Sequence, residues 1–174
     1  TPSSEGDRRT NTTSLWVKRS ELGRTTRLFM ATNNASNARY TILEFNSTDT
    51  IRFYGGTEGT SALFNIQTNA LFRDTSAWYH IVLQVDTPNS TSSERVKLWV
   101  NGVQETSFGT ANYPSQDYTA SWNKNGLHQI GSKAWGNSGN GSDMFPGYLA
   151  HVANVAGSVV APTVFGQTDS TSGI

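Results

Sequence analysis

The chain has 174 residues, with 13 basic and 13 acidic side chains, a formal net charge of zero and no cysteine. Neutrality excludes a nucleic-acid binder that works by phosphate neutralisation and a polybasic membrane-surface module. The missing cysteines exclude disulfide frameworks, thiolate metal sites and cysteine nucleophiles. Thr, Ser, Asn and Gly supply 73 of the 174 residues, a bias toward strands and turns and away from helix. No apolar run approaches the roughly 20 residues of a membrane helix, and the first residues do not read as a signal segment. No membrane insertion is expected.

In chain order, Thr1 to Thr10 reads as a charged opening loop. Leu15 and Val17 then alternate with Ser14, Trp16 and Lys18, the period of a strand. Short strands are expected at Thr25–Thr32, Ala38–Phe45, Thr50–Tyr54 and Ser61–Gln67, separated by Asn-, Ser- and Gly-rich turns. The strongest pattern lies between Ala77 and Ser107. Over Trp78–Asp86, the side chains of Tyr79, Ile81, Leu83 and Val85 share one face; Trp78, His80, Val82 and Gln84 share the other. Val96, Leu98 and Val100 continue the apolar face on the next strand. Asn101-Gly102 is a two-residue hairpin signal, and Val103–Phe108 returns, completing a three-strand antiparallel meander. Ala111–Asn125 reads as a long connection, Leu127–Gly131 as a short strand and 132–142 as a Gly/Asn/Ser loop. Met144–Val155 is a last long strand with Tyr148, Ala150, Val152 and Asn154 on one face; its Pro146-Gly147 start suggests an edge or a bulge. One helical turn is expected around Pro162. Ten or so short strands without a long helix make this an all-β, two-sheet antiparallel β-sandwich or a barrel.

Ala77-Trp78-Tyr79-His80-Ile81-Val82, then Val96-Lys97-Leu98-Trp99-Val100-Asn101-Gly102, then His128-Gln129-Ile130-Gly131, then Phe145-Pro146-Gly147-Tyr148-Leu149-Ala150 resemble, in order and spacing, the laminin-G / concanavalin A-like superfamily. That resemblance implies a concanavalin A-like jelly roll. A narrower likeness runs through Thr1–Thr10 with Trp16-Val17-Lys18-Arg19, Phe72-Arg73-Asp74, Tyr113–Tyr118 and Phe165–Asp169. These segments resemble a subgroup found in tail-fibre and other structural proteins of marine bacteriophages. His151 departs from the superfamily pattern, which usually has an acidic residue there. The chain reads as one domain over residues 1–174, compatible with a piece of a longer virion protein.

Hydrolysis of a glycan needs two carboxylates flanking the scissile bond. The catalytic members of the resembled superfamily carry E-x-D-x-x-E on one strand; here the only E-x-D is Glu5-Gly6-Asp7, in the opening loop. No catalytic residue is therefore assigned. His80, His128 and His151 all fall in strands without metal spacing and read as structural. Asp86 and Asp143 are the carboxylates that could join loop carbonyls in a calcium shell, but no EF-hand-like spacing surrounds them, and no other cofactor is expected. A sugar site needs an aromatic platform ringed by amides and hydroxyls. Trp122 with Asn123, and Trp135 with Asn137, Asn140 and Asp143, are the stretches with that composition; the alternative for both tryptophans is that they plug the ends of the sandwich. Trp16 and Trp78 are expected in the core.

These observations lead to a non-catalytic virion-surface domain, in a fibre or appendage, that adheres to host-surface or environmental glycans. Other virion proteins and further copies of the chain are the expected protein partners. The alternatives are a purely structural capsid-decoration or fibre-assembly module, and an extracellular bacterial lectin-like adhesin domain.

Overall fold

The computed structural model describes residues 2–32, 39–133 and 143–166. Eleven strands appear among them: β1 (Thr10–Arg19), β2 (Thr26–Thr32), β3 (Arg39–Phe45), β4 (Ile51–Thr57), β5 (Ala62–Thr68), β6 (Tyr79–Asp86), β7 (Val96–Val100), β8 (Val103–Glu105), β9 (Phe108–Asn112), β10 (Leu127–Ile130) and β11 (Gly147–Ala156). The only helical pieces in the described residues are single 3₁₀ turns at Ser92–Glu94 and Pro162–Val164. The strands form two antiparallel sheets. The first has the order β11-β1-β6-β7-β8 and the second β10-β2-β3-β4-β5-β9. This is the two-sheet sandwich expected from the strand pattern.

Period-2 alternation builds the core. Leu83, Val85, Val96, Leu98 and Val100 are all buried on the inner face of the first sheet, the faces read from the sequence. They meet Leu28, Phe29, Leu43, Phe45, Phe53 and Phe64 of the second. The β7–β8 turn has left-handed backbone at both Asn101 (φ 50°) and Gly102 (φ 78°), as the sequence demanded.

Three expectations change. Val103–Phe108 is not one strand: the chain leaves the first sheet after Glu105, and Phe108 begins β9, paired with β5 in the second sheet. Asn69 fixes the crossing, its N–H donating to the Ser107 carbonyl at 3.0 Å and its side-chain amide to Ser107 Oγ at 2.9 Å. The face assigned to β11 also breaks. Ala150 pairs with Trp16 but Ala153 with Ser14, so two residues, His151 and Val152, oppose Leu15 alone. Beyond this bulge the alternation inverts. Leu149 and Val152 pack on the core, while Tyr148 and Ala150 share the opposite, outer face. Finally, Trp78 is 40% exposed and Trp16 half-buried; both lie on the outer face of the first sheet rather than in the core.

That outer face is partly covered by the segment after β11. Gly157 N–H donates to the Thr10 carbonyl (2.9 Å), Thr12 Oγ1 to the Ser158 carbonyl (2.8 Å) and Gln84 Nε2 to the Val160 carbonyl (2.8 Å). This strap explains why Thr12, Val82 and Gln84 are buried although they point away from the core. At one end of the sandwich a buried ion pair joins β1 to the turn between β3 and β4. Arg19 Nη2 lies 2.9 Å from Asp49 Oδ1 and the guanidinium lies 4.4 Å from the centre of the Phe45 ring.

Candidate functional site

The residues singled out for a sugar or calcium site separate in the structure. Trp122 is fully buried. Its ring packs on Phe29 and Phe53, at centroid distances of 4.9 and 5.3 Å, and its indole N–H donates to the Thr41 carbonyl. It plugs the core and presents no face to a ligand. Asn123 is buried beside it, with its amide committed. Its Nδ2 donates to the Asp7 carbonyl at 2.8 Å, and its Oδ1 accepts from Asn154 Nδ2 at 2.7 Å. It ties the opening loop to β11 and is not free to orient a sugar. Trp135, Asn137 and Asn140 lie outside the described residues. Asp143 is paired with Arg27 Nη2 at 3.1 Å and lies 3.8 Å from Lys133 Nζ. Asp86 pairs with Thr10 at one end of β1, whereas Asp143 lies three residues before Pro146, whose carbonyl accepts from Ser20 N–H just past the other end. The two carboxylates do not share a site, and among the described residues no cluster of three His, Asp or Glu side chains could hold a metal.

The structure brings together a different set. On the outer face of the first sheet, Trp16 sits between His80 of β6 and Ala150 of β11. Two residues further along, Lys18 pairs with Tyr148, and Trp78 immediately precedes β6 on the same face. Large side chains therefore surround a small one, Ala150. The hollow left over it is an open groove of about 340 Å³ lined by Trp16, Trp78, Ala150 and His151, within the volume range of ligand sites. Trp78 and Tyr148, 40% and 64% exposed, stand at its edge with ring centroids 6.4 Å apart.

The floor is held from beneath. Trp16 stacks nearly parallel on the His80 imidazole, with centroids 4.7 Å apart and planes 9° from parallel. His80 is fixed in turn by Ser14, whose hydroxyl lies 2.9 Å from Nε2, and by Asn101, whose Oδ1 accepts from the His80 backbone N–H at 2.8 Å. Burial lowers the pKa of His80 below that of an ordinary imidazole, because the charged form would lose its water. The Ser14–His80 pair is not a catalytic dyad: Ser14 is buried and Gly166 of the strap lies against the imidazole.

The tryptophans differ in one respect that bears on ligands. The indole N–H of Trp99 donates to Gln84 Oε1, and that of Trp122 to Thr41. Those of Trp16 and Trp78 have no partner among the described residues. The groove thus offers an almost wholly apolar lining for stacking, built on two indoles whose N–H groups are uncommitted. Among the described residues, no carboxylate lines it.

A family profile described as the Concanavalin A-like lectin/glucanases superfamily matches residues 1–159, and the chain belongs to that superfamily. No curated protein sequence matches it. Among solved structures, the chain is similar to the CBM40 of the Ruminococcus gnavus IT-sialidase, bound to α2,3-sialyllactose (TM-score 0.67, 15% identity, 94% of each chain). It is also similar to a native heptameric SAP-like pentraxin from Limulus polyphemus (0.62, 18%, 92% of this chain and 70% of that one). A third is domain 4 of the extracellular GH43 arabinanase AbnA of Geobacillus stearothermophilus, in complex with arabinotriose (0.58, 19%, 92% and 68%). At these identities the likeness establishes the fold.

Proposed function

We propose that this member of the concanavalin A-like superfamily is a non-catalytic glycan-binding domain whose site is the groove on the outer face of β6, β1 and β11. The observation that carries the reading is the pair Trp16 and Trp78, exposed to the groove with both indole N–H groups unspent. A sugar ring has an apolar face that stacks on one indole, while its rim hydroxyls can accept the in-plane N–H of the other. The saccharides bound by the Ruminococcus module and the arabinanase domain support this ligand class. Binding without hydrolysis is supported by the likeness to a carbohydrate-binding module and by a lining that, among the described residues, carries no carboxylate of the pair that glycosidic cleavage requires. The setting proposed is a virion surface, in a fibre or appendage; its support is the likeness of the segments at both ends of the chain to phage structural proteins.

The test is Trp78→Ala, assayed on a printed glycan array that includes α2,3-sialyllactose and arabinotriose. Trp78 contributes little to the core, so the variant should melt within a few degrees of wild type. It should bind the preferred glycan at least about tenfold more weakly, the equivalent of ~1.4 kcal/mol. Wild-type binding to no saccharide, or undiminished binding by Trp78→Ala, refutes the reading.

A further inference from the structure

His151 occupies a backbone conformation that resists a side chain. Its φ is 48°, and every other left-handed non-glycine residue among those described is an aspartate or asparagine. A Cβ is disfavoured there, and glycine would fit without strain. The position is the first residue of the β11 bulge. In a regular strand, Tyr148 and Ala150 facing outward would send residue 151 inward to the core. The bulge reverses this: Val152 takes the inward place, and His151 is turned out beside Ala150, where its ring lines the groove. There it is exposed, and its imidazole has no hydrogen-bond partner among the described residues. The result is an exposed imidazole with both nitrogens uncommitted, beside a groove whose own lining is almost entirely apolar.

Strained backbone that delivers a polar side chain to a binding surface is a place where structure is spent on function. Resting on the glycan reading of the groove, we infer that His151 is its specificity-determining residue. Trp16 and Trp78 supply stacking, which any sugar with an apolar face can use. The imidazole, with an N–H donor and in its neutral form an acceptor on the opposite side of the ring, reads the hydroxyl arrangement of the stacked residue. The ligand class is a saccharide that presents adjacent hydroxyls toward the β11 side of the groove.

His151→Gly removes the imidazole and relieves the strained φ. His151→Asn keeps a donor and an acceptor on a residue that tolerates left-handed backbone. Both are compared with wild type and Trp78→Ala on glycosides of glucose, galactose, mannose, arabinose and N-acetylneuraminic acid. His151→Gly should melt at or above the wild-type temperature and lose about tenfold in affinity for the preferred glycoside. Its preference among epimers should flatten, and His151→Asn should keep part of it. If His151→Gly keeps wild-type affinity and preference while Trp78→Ala loses binding, the inference fails and the glycan reading stands. If Trp78→Ala also binds as wild type, or wild type binds none of the panel, both fail. A clear drop in melting temperature for His151→Gly would make the imidazole a structural element and overturn the inference.

Discussion

Replacing Asp49 by Asn takes one charge out of a buried cluster and leaves its shape almost unchanged. The carboxylate accepts from Arg19 Nη2 at 2.9 Å and from the Gly23 N–H at 2.8 Å on Oδ1, and from Arg73 Nε at 3.0 Å on Oδ2. Arg19 is only 1% exposed, so without Asp49 its charge keeps the Phe72 carbonyl and the Phe45 ring but no anion. Removing one partner of a buried pair costs about 3–5 kcal/mol. Arg73 is mostly in solvent and adds at most ~1 kcal/mol. Asn retains one acceptor and tolerates the φ of 65° at this position, so a loss near ~3 kcal/mol is expected, a large share of the ~5–15 kcal/mol that holds a domain folded. The loss must also depend on pH. Burial is the largest single influence on Asp49 and opposes ionisation. The Gly23 N–H, Arg19 and Arg73 together outweigh it and hold the carboxyl below its ordinary value. A carboxyl depressed in the folded state stabilises fully above the unfolded value, about pH 4, and that stabilisation is lost as pH falls through the folded value. Urea unfolding followed by tryptophan fluorescence should therefore show the gap between wild type and Asp49→Asn narrowing below about pH 4. A gap under about 1 kcal/mol at neutral pH, or one that stays constant into acid, would refute this account of the cluster.

Two further outcomes follow from rings held by their neighbours. Trp122→Ala should lose about 3–5 kcal/mol in urea unfolding, as expected for an emptied aromatic site, and its folded fraction should bind glycans like wild type; selective loss of binding at unchanged stability would return Trp122 to the site. His128 is locked as one tautomer: Nδ1 donates to the Gly126 carbonyl at 2.9 Å, while Nε2 accepts the Asn123 N–H at 3.2 Å. Burial, partly offset by the Gly126 carbonyl, lowers its pKa. Its stabilisation is therefore complete above the unfolded value, about 6.5, and is lost as pH falls toward the folded one. Melting temperatures between pH 8 and 5 should show a His128→Asn deficit that shrinks on acidification, and a deficit constant with pH would contradict the locked tautomer.

The parity of strand residues carried most of the fold. Leu83, Val85, Val96, Leu98 and Val100 reach the core because alternation leaves them no other face. Parity also held the groove: Trp16 alternates with Leu15 and Val17, and Trp78 with Tyr79 and Ile81, which places both indoles outward. What obscured them is that large aromatics in strands usually mark a core, and size outweighed parity. Trp122 shows the reverse: it lies in a polar segment yet is drawn inward by Phe29 and Phe53 from distant strands, the plug that the sequence offered as the alternative to a sugar platform. The bulge at His151 left no local signal. A histidine within an apolar alternation reads as one more strand residue, and only pairing with Trp16 and Ser14 reveals the extra place.

That same bulge bears on how the domain behaves among copies of itself. β11 is an outer strand of the first sheet, ten residues long and rich in alanine and valine. A regular strand of this kind offers an uninterrupted row of backbone donors and acceptors onto which another chain can add. At His151 the row loses its spacing, because the left-handed residue turns its peptide groups out of the plane of the sheet. A second strand docking on this edge could pair on one side of the interruption or the other, but not across all ten residues. The irregularity thus shortens the stretch of this edge onto which any further strand could add.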